Sequence, residues 1–452
     1  LPYRSNLSLM KIIISLSSII VLLIFPACRQ TSETESAHPG ESYLSFADDG
    51  AWCWFSDPRA IYFNGKYRRT YAGWIDQTGN VMVGFYDHDR KTIETTILHK
   101  ELEVDDHDNP GLFLDKEGKL WLTYSKHSGD RMYLVKAKNP EDISTWEPTR
   151  SLQLNDTIAN SGSSNTYTYT NLCQLADERN TLYLFWRGAD YKPNFSTSTD
   201  NGETWSPGKI LILPERLYRD RRPYVKISSN SKDAIHVAFT DGHPNKEPTN
   251  SIYYAKYRDG YLYKASGEKI KSWSDLPAEP RETDVVYDGT TTKEKAWIWD
   301  VTEDQQGDPV IVYSRFPNDS THVYYYAVWD QGQWANHKLL NSGRWFPQTP
   351  PDSIETEPNY SGGIIIDHQD PSTVYLSRMK NGKFEIEKWT TSDKGKNWNV
   401  TEVTTNSKFD NVRPFVIRNH PTDGSPTVLW MNVKKYIHYT DYETAVKMDV
   451  YP

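Results

Sequence analysis

The stretch STDNGETW occupies residues 198–205, and a near copy, TSDKGKNW, occupies residues 391–398. Both follow the pattern S-x-D-x-G-x-x-W, although the second begins with threonine. An aspartate at this place accepts hydrogen bonds from the backbone amides that follow it, and the glycine permits a tight reversal. We therefore interpret the two stretches as equivalent hairpin turns, in which the aspartate and the tryptophan of the pattern have structural and not catalytic roles. The residues concerned are Asp200, Trp205, Asp393 and Trp398.

Short apolar or alternating runs recur along the rest of the chain. They are LWLTYSK (120–126), LYLFWRG (182–188), IHVAFTD (235–241), PVIVYSR (309–315), TVYLSRM (373–379) and TVLWMNV (427–433). Second runs of the same kind follow them, such as RMYLVKAK (131–138) and HVYYYAVW (322–329), with turn-forming residues in between. The first runs recur at intervals of roughly 50 to 75 residues, which is comparable to the period of a β-propeller blade.

Seven such units begin near residues 54, 111, 171, 223, 296, 360 and 413. The turn pattern described above resembles the Asp-box of sialidase-type propellers. Because one blade cannot bury its faces alone, the seven units belong to one domain. The sequence therefore predicts an all-β fold, a seven-bladed β-propeller over residues 43–452.

The composition excludes several functional classes. A formal charge of −9 argues against a general nucleic-acid binder, since duplex binding depends on a positive surface. A mean hydropathy of −0.72 excludes a bundle of membrane helices. Aromatic residues make up 13% of the chain, with 16 Trp and 30 Tyr, a content that favours strands and suits the stacking of sugar rings.

The first 28 residues carry a targeting pattern. Met10 and Lys11 precede the apolar run IIISLSSIIVLLIFPAC (12–28), and the residues before Met10 are interpreted as an upstream mis-start. A positive start, a short apolar core and a small residue before cysteine are typical of a bacterial lipoprotein signal, with Cys28 as the lipidation site. An ordinary cleaved signal and an N-terminal anchor helix are the alternatives.

Both a lipoprotein signal and an ordinary cleaved signal imply that the protein is exported. Residues 29–42 are polar and are interpreted as a flexible tether, which places the protein in the periplasm or at the outer membrane or cell surface. Any membrane contact is expected only through the lipid anchor. Three cysteines are too few for a disulfide framework, so Cys53 and Cys173 are expected to be either free or paired with each other.

Two histidines lie among small, acidic and turn-forming residues, where a core histidine is not expected. VDDHDNPG (104–111) contains His107, and YSKHSGD (124–130) contains His127 directly after a strand. In the next unit, Tyr169 and Arg187 occupy the analogous places before the first strand and at the end of the second. Since loops at one end of a propeller converge, we expect these four side chains to face one mouth.

These residue types suit β-elimination at a uronic acid. An arginine fork neutralises the carboxylate, a histidine or a tyrosine takes the proton from C5, and tyrosine or histidine protonates the group that leaves C4. The set lacks the paired carboxylates of ordinary glycoside hydrolysis. Asp105, Asp106 and Asp108 crowd one loop and are expected to orient His107 or to cap the turn.

Several stretches together resemble a known family, the BNR-repeat propellers that include seven-bladed ulvan lyases. The resemblance covers nearly the whole chain after the signal. It rests on GAWCWFSDPRAIYF (50–63), DDHDNPGLFLDKEGKLWLTYSKHS (105–128), TYTNL (168–172) with LYLFWRG, RPYVKI (222–227), VAFTDGHP (237–244), YSGGIIIDH (360–368) and VYLSR (374–378).

The resemblance implies roles for the four candidate residues. Arg187 would neutralise the uronate, Tyr169 would act as base, acid or both, and His107 and His127 would assist or share the role of the base. Tyr167 competes with Tyr169, because TYTYT offers two tyrosines. The substrate implied is ulvan or an ulvan oligosaccharide, which is an acidic carbohydrate with or without sulfate groups.

Three alternatives remain open at this point. A related oligosaccharide dehydratase would use the same deprotonation at C5 but expel water from a terminal uronate. Related α-L-rhamnosidases use a single histidine on the opposite face, and WCWFSDPRA (52–60) offers Ser56 and Asp57 but no histidine. A propeller that binds glycan without catalysis is the third alternative, because a fold does not fix a function.

Other polar residues are candidates for substrate binding or for the channel. The binding candidates are Asn109, Tyr167, Arg222, Tyr224, His243 and Tyr360. YRDRRPYVK (218–226) either holds a sulfate or a second carboxylate or forms a solvated rim. Tyr360, Arg378 and Arg413 are expected to line the channel. No cofactor is required, although His243 and His438 with a cysteine offer a possible structural metal site.

Overall fold

The computed structural model describes residues 30–32, 43–155, 165–424 and 426–450. The interpreted signal segment 1–28 with Cys28 lies outside these residues, and so does the interpreted tether except for residues 30–32. Within the described residues no helix has the length and apolar character needed to cross a membrane.

The described strands form seven antiparallel sheets, which are the blades of a propeller. Strand β1 (Gln30–Ser32) pairs with the outer strand of the first blade, and β2 (Tyr43–Ala47) pairs with the outer strand of the last blade. Because β2 joins strands from the far end of the chain, it closes the ring. The prediction of an all-β, seven-bladed propeller is confirmed.

The first three blades each follow chain order from the inner strand outward. Blade 1 contains β3 (Ala60–Asn64), β4 (Arg68–Ile75), β5 (Val81–Asp87) and β6 (Thr92–His99). Blade 2 contains β7 (Gly111–Leu114), β8 (Leu120–Ser125), β9 (Met132–Lys136) and β10 (Arg150–Leu152). Blade 3 contains β11 (Thr168–Leu175), β12 (Thr181–Arg187), β13 (Pro193–Ser198) and β14 (Lys209–Ile210).

The remaining blades continue the same order, and the fourth carries additional outer strands. Blade 4 contains β15 (Val225–Ser229), β16 (Ala234–Thr240), β17 (Ile252–Arg258), β18 (Tyr261–Tyr263), β19 (Lys269–Ser272) and β20 (Asp284–Tyr287). Blade 5 contains β21 (Lys295–Glu303), β22 (Pro309–Asn318), β23 (Thr321–Asp330) and β24 (Gln333–Gly343). Blade 6 contains β25 (Ile364–Ile366), β26 (Thr373–Lys380), β27 (Lys383–Thr390) and β28 (Asn399–Glu402). Blade 7 contains β29 (Asp410–Val416), β30 (Val428–His438), β31 (Asp441–Asp449) and β2.

Helical segments in the described chain are short and lie in the connections. The α-helix α1 spans Gly289–Thr292. The 3-10 helices are Asp106–Asp108, Ala176–Glu178, Ala189–Tyr191, Arg216–Tyr218, Trp273–Asp275 and Pro280–Glu282. The first of them carries His107 and therefore contributes to the site described below.

Blade packing explains why the strands read as continuous apolar runs. Every residue of β12 is buried, since both faces of a middle strand meet a neighbouring blade. Large tryptophans such as Trp121, Trp186 and Trp297 are almost fully buried in this packing. Both cysteines within the described residues, Cys53 and Cys173, are free.

The two S-x-D-x-G-x-x-W stretches form equivalent structural turns. The Asp200 carboxylate accepts a hydrogen bond from the backbone N–H of Thr204 at 2.9 Å, and Asp393 accepts one from Asn397 at 2.8 Å. Gly202 has φ +77°, and a Cβ there would lie 2.9 Å from the Trp121 ring of the preceding blade. The turn therefore needs glycine both for its conformation and for close packing between blades.

Candidate functional site

A cavity of about 330 Å³ opens at the end of the propeller where the inner strands begin. We call it the anterior cavity. Eight of the predicted residues line it together: His107, His127, Tyr169, Arg187, Arg222, Tyr224, His243 and Tyr360. The convergence of loops from blades 2 and 3 therefore occurs as the sequence predicts.

Blades 2 and 3 present their candidate residues in equivalent ways. His107 lies in the 3-10 turn before β7, and His127 follows β8. Tyr169 is in β11 and Arg187 ends β12. Tyr169 has φ +58° at a shift of register in β11, a conformation that is costly for a tyrosine and that turns its ring out of the strand's regular alternation.

The Asp105 carboxylate holds both histidines. His107 Nδ1 lies 2.6 Å from Asp105 Oδ1, and His127 Nδ1 lies 3.0 Å from Asp105 Oδ2. The two imidazoles stack with ring centroids 4.2 Å apart and 11° between their planes. Asp105 also accepts a hydrogen bond from the His107 backbone at 2.9 Å, so it both caps the turn and orients the rings.

Burial and neighbouring charges together set the protonation states of Asp105 and His127. Although burial alone would raise the pKa of the Asp105 carboxyl, the charges and hydrogen bonds of the two histidines lower it below its ordinary value. Burial lowers the pKa of His127 to about 4, and His107 adds to this because two adjacent imidazolium charges repel. At neutral pH, His127 is therefore an uncharged imidazole beside a carboxylate.

The two outer nitrogens of the pair differ in their surroundings. Because the Nδ1 of the neutral His127 ring faces Asp105, its Nε2 carries a lone pair. The Tyr360 hydroxyl lies within hydrogen-bond distance of His107 Nε2, at 3.3 Å. His127 Nε2 has no hydrogen-bond partner in the described part of the chain, so His127 is the histidine with a free basic nitrogen in the cavity.

Arg187 brings a buried positive charge to the opposite wall. Its Nη1 donates to the Tyr224 hydroxyl at 2.9 Å and its Nη2 donates to Thr168 Oγ1 at 3.2 Å. The guanidinium lies 4.6 Å from the centroid of the Tyr169 ring. Burial raises the pKa of the Tyr169 phenol well above its ordinary value, and Tyr224 adds to this while Arg187 opposes it.

Arg187 forms no ion pair with any described residue, although only 6% of it is exposed. Its Nε is also buried without a hydrogen-bond partner among those residues. A buried cation without an anion is costly, because burial removes its hydration. The arrangement therefore suits a ligand that brings its own carboxylate.

Several cavity residues are not predicted by any sequence pattern. They are Trp54, Tyr191, Lys246, Trp297, Glu357 and Tyr439. Tyr439 packs edge-on against His107 at 4.7 Å between ring centroids. Arg222 stacks on Tyr191 with its guanidinium 3.8 Å from the ring centroid. Glu357 comes from the long connection 344–363, which has no periodic pattern to mark it.

Two predicted binding residues lie elsewhere. Asn109 accepts a hydrogen bond from the Cys53 backbone at 3.0 Å and donates to the Ser56 carbonyl at 3.3 Å, so its amide holds the chain together behind the cavity. The Tyr167 hydroxyl accepts from the Asn155 backbone at 2.9 Å, and its ring stacks on Trp186 between blades. Neither residue lines the anterior cavity.

The predicted channel arginines are also engaged elsewhere. Arg413 is fully buried, donates to Asp106 at 2.5 Å and to the Trp52 carbonyl at 2.7 Å, and lies beneath the cavity wall. Arg378 pairs with Glu387 at 3.0 Å. Neither lines the anterior cavity, whereas Tyr360 does.

Two groups of described residues have the donor types and spacing that a metal ion requires. Cys53, Asp106 and His107 form one group, and Asp105, His107 and His127 form the other, with ligand atoms within 4.8 Å of one another. Hydrogen bonds to Asp105 account for the geometry of the second group. His243 and His438 belong to neither group, and His438 Nδ1 instead lies 2.8 Å from Thr440 Oγ1.

A second cavity, of about 570 Å³, lies at the opposite end of the channel. Its histidines are His236 and His368. His236 lies 2.8 Å from the Tyr254 hydroxyl and 3.0 Å from Glu303, and His368 lies 3.0 Å from Asp300. Both rings therefore take part in the charge network that lines the channel.

The sheets and the anterior cavity define a seven-bladed propeller protein with a buried arginine at its mouth that forms no ion pair with a described residue. The model of the BNR repeat-containing family matches residues 69–342, and the chain belongs to this family.

Two ulvan lyases are similar to the chain in sequence. The ulvan lyase of Nonlabens ulvanivorans is 22% identical over 438 residues, covering 85% of this chain and 85% of that protein. The ulvan lyase of Alteromonas sp. (strain LOR) is 22% identical over 404 residues, covering 75% of this chain and 78% of that protein.

Solved structures of polysaccharide lyases share the fold. An ulvan lyase of polysaccharide lyase family PL25, also solved with -[GlcA(1-4)Rha3S]- bound, aligns with a TM-score of 0.66 at 16% identity. That alignment covers 89% of this chain and 94% of the other. The polysaccharide lyase Uly1 aligns with a TM-score of 0.52 at 12% identity over 93% and 99% of the two chains. At these identities the likeness shows the fold alone.

Proposed function

We propose that the protein is a carbohydrate lyase that acts by β-elimination at C4–C5 of a uronic acid in ulvan or ulvan oligosaccharides. The observation that carries the proposal is the buried guanidinium of Arg187. It has no carboxylate partner among the described residues, and it shares the cavity with His127 and Tyr169.

The first requirement of the reaction is a more acidic C5–H. Removal of this proton places negative charge on the adjacent carboxylate group. The Arg187 fork would bind that carboxylate bidentately and stabilise the developing charge, in a site where burial strengthens the interaction. The uronate in turn would supply the anion that the buried cation lacks.

His127 has the properties of the base. No described residue bonds to its Nε2, its Nδ1 faces the Asp105 carboxylate, and its pKa of about 4 keeps it unprotonated at neutral pH. Asp105 would stabilise the imidazolium that forms when His127 takes the C5 proton. His107 fixes the ring of His127 by stacking.

Tyr169 has the properties of the acid. The raised pKa of Tyr169 keeps the phenol protonated at neutral pH. We assign to it the proton that goes to the leaving oxygen at C4, while the C4–O bond breaks and the C4=C5 double bond forms. No redox step or electrophile is required, so we propose that turnover needs no cofactor and survives chelation of metal ions.

Hydrolysis fits the site less well. Ordinary glycoside hydrolysis uses two carboxyl groups on opposite sides of the scissile bond. Among the described residues, Glu357 is the one acidic residue in the lining of the anterior cavity. Asp105 lies behind His107 and His127, and its two carboxylate oxygens face the Nδ1 atoms of both rings.

The substrate class follows from the charge of the cavity and from the relatives. Arg222 and Lys246 line the cavity together with Arg187, and neither forms an ion pair with a described residue. Three cations suit an acidic saccharide, with or without sulfate groups. The two similar proteins named above are ulvan lyases, which supports ulvan as the source of that saccharide.

The test uses ulvan polymer and ulvan oligosaccharides that end in a saturated uronate. Ultraviolet absorbance of the unsaturated uronate and the masses of the products are followed together. Rising absorbance with chain shortening supports the lyase. Rising absorbance with loss of one water identifies a dehydratase, and flat absorbance with both substrates contradicts elimination.

We also propose that the protein is exported and anchored through a lipid on Cys28. The proposal rests on the apolar run 12–28 and the polar segment that follows it. Fractionation of cells with the wild-type chain and with Cys28→Ser tests it. Membrane association that is equal in both would contradict the lipid anchor.

A further inference from the structure

The Glu357 carboxyl lines the anterior cavity and has no hydrogen bond to a described residue. Its side chain is 17% exposed, and its Oε2 is buried with no partner among the described residues. The carboxyl group plays no part in holding its own loop, where the Glu357 backbone N–H instead donates to Glu355 at 2.7 Å. A buried polar group left unpaired costs free energy, so a ligand that completes its hydrogen bonds would be favoured.

His243 presents a hydrogen-bond donor toward the same point. Its Nδ1 accepts from the Asn245 backbone N–H at 3.1 Å, so Nδ1 carries no proton and the neutral ring is protonated at Nε2. Burial lowers the pKa of His243 to about 3, and Arg187 adds to this, so the ring is neutral. Contacts with Tyr224 and Trp297, at 5.3 and 4.6 Å between ring centroids, fix its orientation.

The two groups do not bond to each other. His243 Nε2 and Glu357 Oε2 are 4.0 Å apart, which is beyond hydrogen-bond distance. A donor and an acceptor therefore flank one point in the cavity wall. A hydroxyl group placed there accepts from the imidazole N–H and donates to the carboxyl oxygen.

We propose that His243 and Glu357 form a hydroxyl-binding pair that selects the sugar ring held in the anterior cavity. This rests on the proposed function, since it places the uronate ring in that cavity. The pair contributes to specificity by binding the substrate, and it does not donate the proton to the leaving oxygen. A site built to bind a hydroxyl rejects a sugar whose hydroxyl is missing or methylated, because both partners are then left unpaired.

The ionisation of Glu357 gives the pair a dependence on pH. Burial raises the pKa of Glu357 to about 7 against the opposing charges of His107 and Lys246, while Glu355 and Asp106 raise it further. The neutral His243 and the phenols of Tyr360 and Tyr439 complete its surroundings. As pH rises through about 7, Glu357 becomes an anion and repels the substrate carboxylate.

The test measures KM and kcat for an ulvan oligosaccharide in wild type, Glu357→Ala and Glu357→Gln. In wild type, KM rises as pH increases above about 7. Glu357→Ala raises KM about tenfold below that pH, as expected for one lost hydrogen bond, and kcat changes less. Glu357→Gln raises KM by a smaller factor, and the rise of KM with pH disappears in both variants.

Glu355→Gln is the matched control, because it removes a charge two residues away on the same loop. Glu355 does not line the cavity, and an amide oxygen can still accept from the Glu357 backbone. Because the charge of Glu355 helps to raise the pKa of Glu357, the KM of Glu355→Gln should still rise with pH, and the rise should begin at a lower pH than in wild type. Thermal unfolding of each variant verifies that the fold is retained.

Two results would contradict the proposal that His243 and Glu357 bind a hydroxyl group. One is a KM that is the same in Glu357→Ala and wild type at every pH. The other is an equal loss of kcat in Glu357→Gln and Glu357→Ala with KM unchanged, which would make Glu357 a proton donor. If wild type produces no unsaturated uronate, the proposed function fails separately. In that case, calorimetric titration with the same oligosaccharide tests the hydroxyl-binding pair, because the pair still requires a higher Kd in Glu357→Ala than in wild type.

Discussion

His107 and His127 form a parallel stack, with ring centroids 4.2 Å apart, and both of their Nδ1 atoms face the single carboxylate of Asp105. The shared carboxylate makes the two rings one unit. It fixes the tautomer of the neutral His127 ring, so the basic nitrogen of His127 is Nε2, to which no described residue bonds.

Asp105→Asn is expected to reduce kcat by about 10² to 10⁴-fold, the range of a single acid–base contribution. The amide cannot accept from both imidazoles, so the rings lose their shared acceptor and His127 loses the anion that stabilises its protonated form. Initial rates of absorbance increase with ulvan oligosaccharide measure the effect. A variant that is folded and retains wild-type kcat would show that Asp105 only caps the turn.

The rate is expected to depend on pH through His127. Because burial lowers the pKa of His127 to about 4, the base is already unprotonated well below neutrality. As pH falls through about 4 the ring gains a proton, and kcat/KM should decline there and not near the ordinary histidine value. Circular dichroism over the same range separates loss of the base from unfolding. An acidic decline centred between pH 6 and 7, roughly the ordinary histidine range, would contradict the assignment.

Arg187→Lys is expected to lower kcat/KM by about 10²-fold or more, although the charge is retained. An ammonium group lacks the planar fork that binds a carboxylate bidentately, and Lys cannot bind Tyr224 and Thr168 as Arg187 does. Steady-state kinetics with the oligosaccharide give kcat/KM for wild type and for Arg187→Lys. Equal kcat/KM in the two proteins would mean that a point charge is sufficient.

Arg187→Met is expected to abolish turnover while leaving the free energy of unfolding unchanged or higher. The substitution removes a buried cation that has no anionic partner among the described residues and keeps most of the volume. Chemical denaturation of both proteins measures this. A loss of stability of about 3 kcal/mol or more, the cost of breaking a buried ion pair, would show that Arg187 is held for structure.

Tyr169→Phe is expected to reduce kcat by about 10² to 10⁴-fold with a smaller change in KM. The phenylalanine ring can occupy the same place over Arg187, but it carries no proton for the leaving oxygen. A substrate whose C4 leaving group is a nitrophenol needs no such proton, so its rate should fall much less. Equal losses for both substrates would remove Tyr169 from the role of acid.

The fold follows from the sequence because a blade repeats its pattern. The apolar runs and the turns around Asp200 and Asp393 indicate the blade period directly, and the predicted unit starts lie close to the observed inner strands. His127 and Arg187 are predictable for the same reason. His127 follows the second strand of its blade and Arg187 ends the second strand of the next blade, and the loops at that end meet at the channel mouth.

Local irregularities explain what the sequence does not predict. Tyr167 and Tyr169 are two residues apart, so regular alternation places both on one face of a strand. The left-handed backbone at Tyr169 breaks that alternation and sends one ring to the cavity and the other between blades. Glu357 lies in a connection of irregular structure, where neither periodicity nor a turn motif marks its place.

The most direct test of the central claim is the absorbance of unsaturated uronate when wild type and Arg187→Met are incubated with ulvan. We expect a steady rise with wild type, products that carry a C4=C5 double bond by mass, and no rise with the folded variant. Cleavage by wild type that releases saturated reducing ends without absorbance would contradict elimination. Unchanged turnover by Arg187→Met would contradict the site.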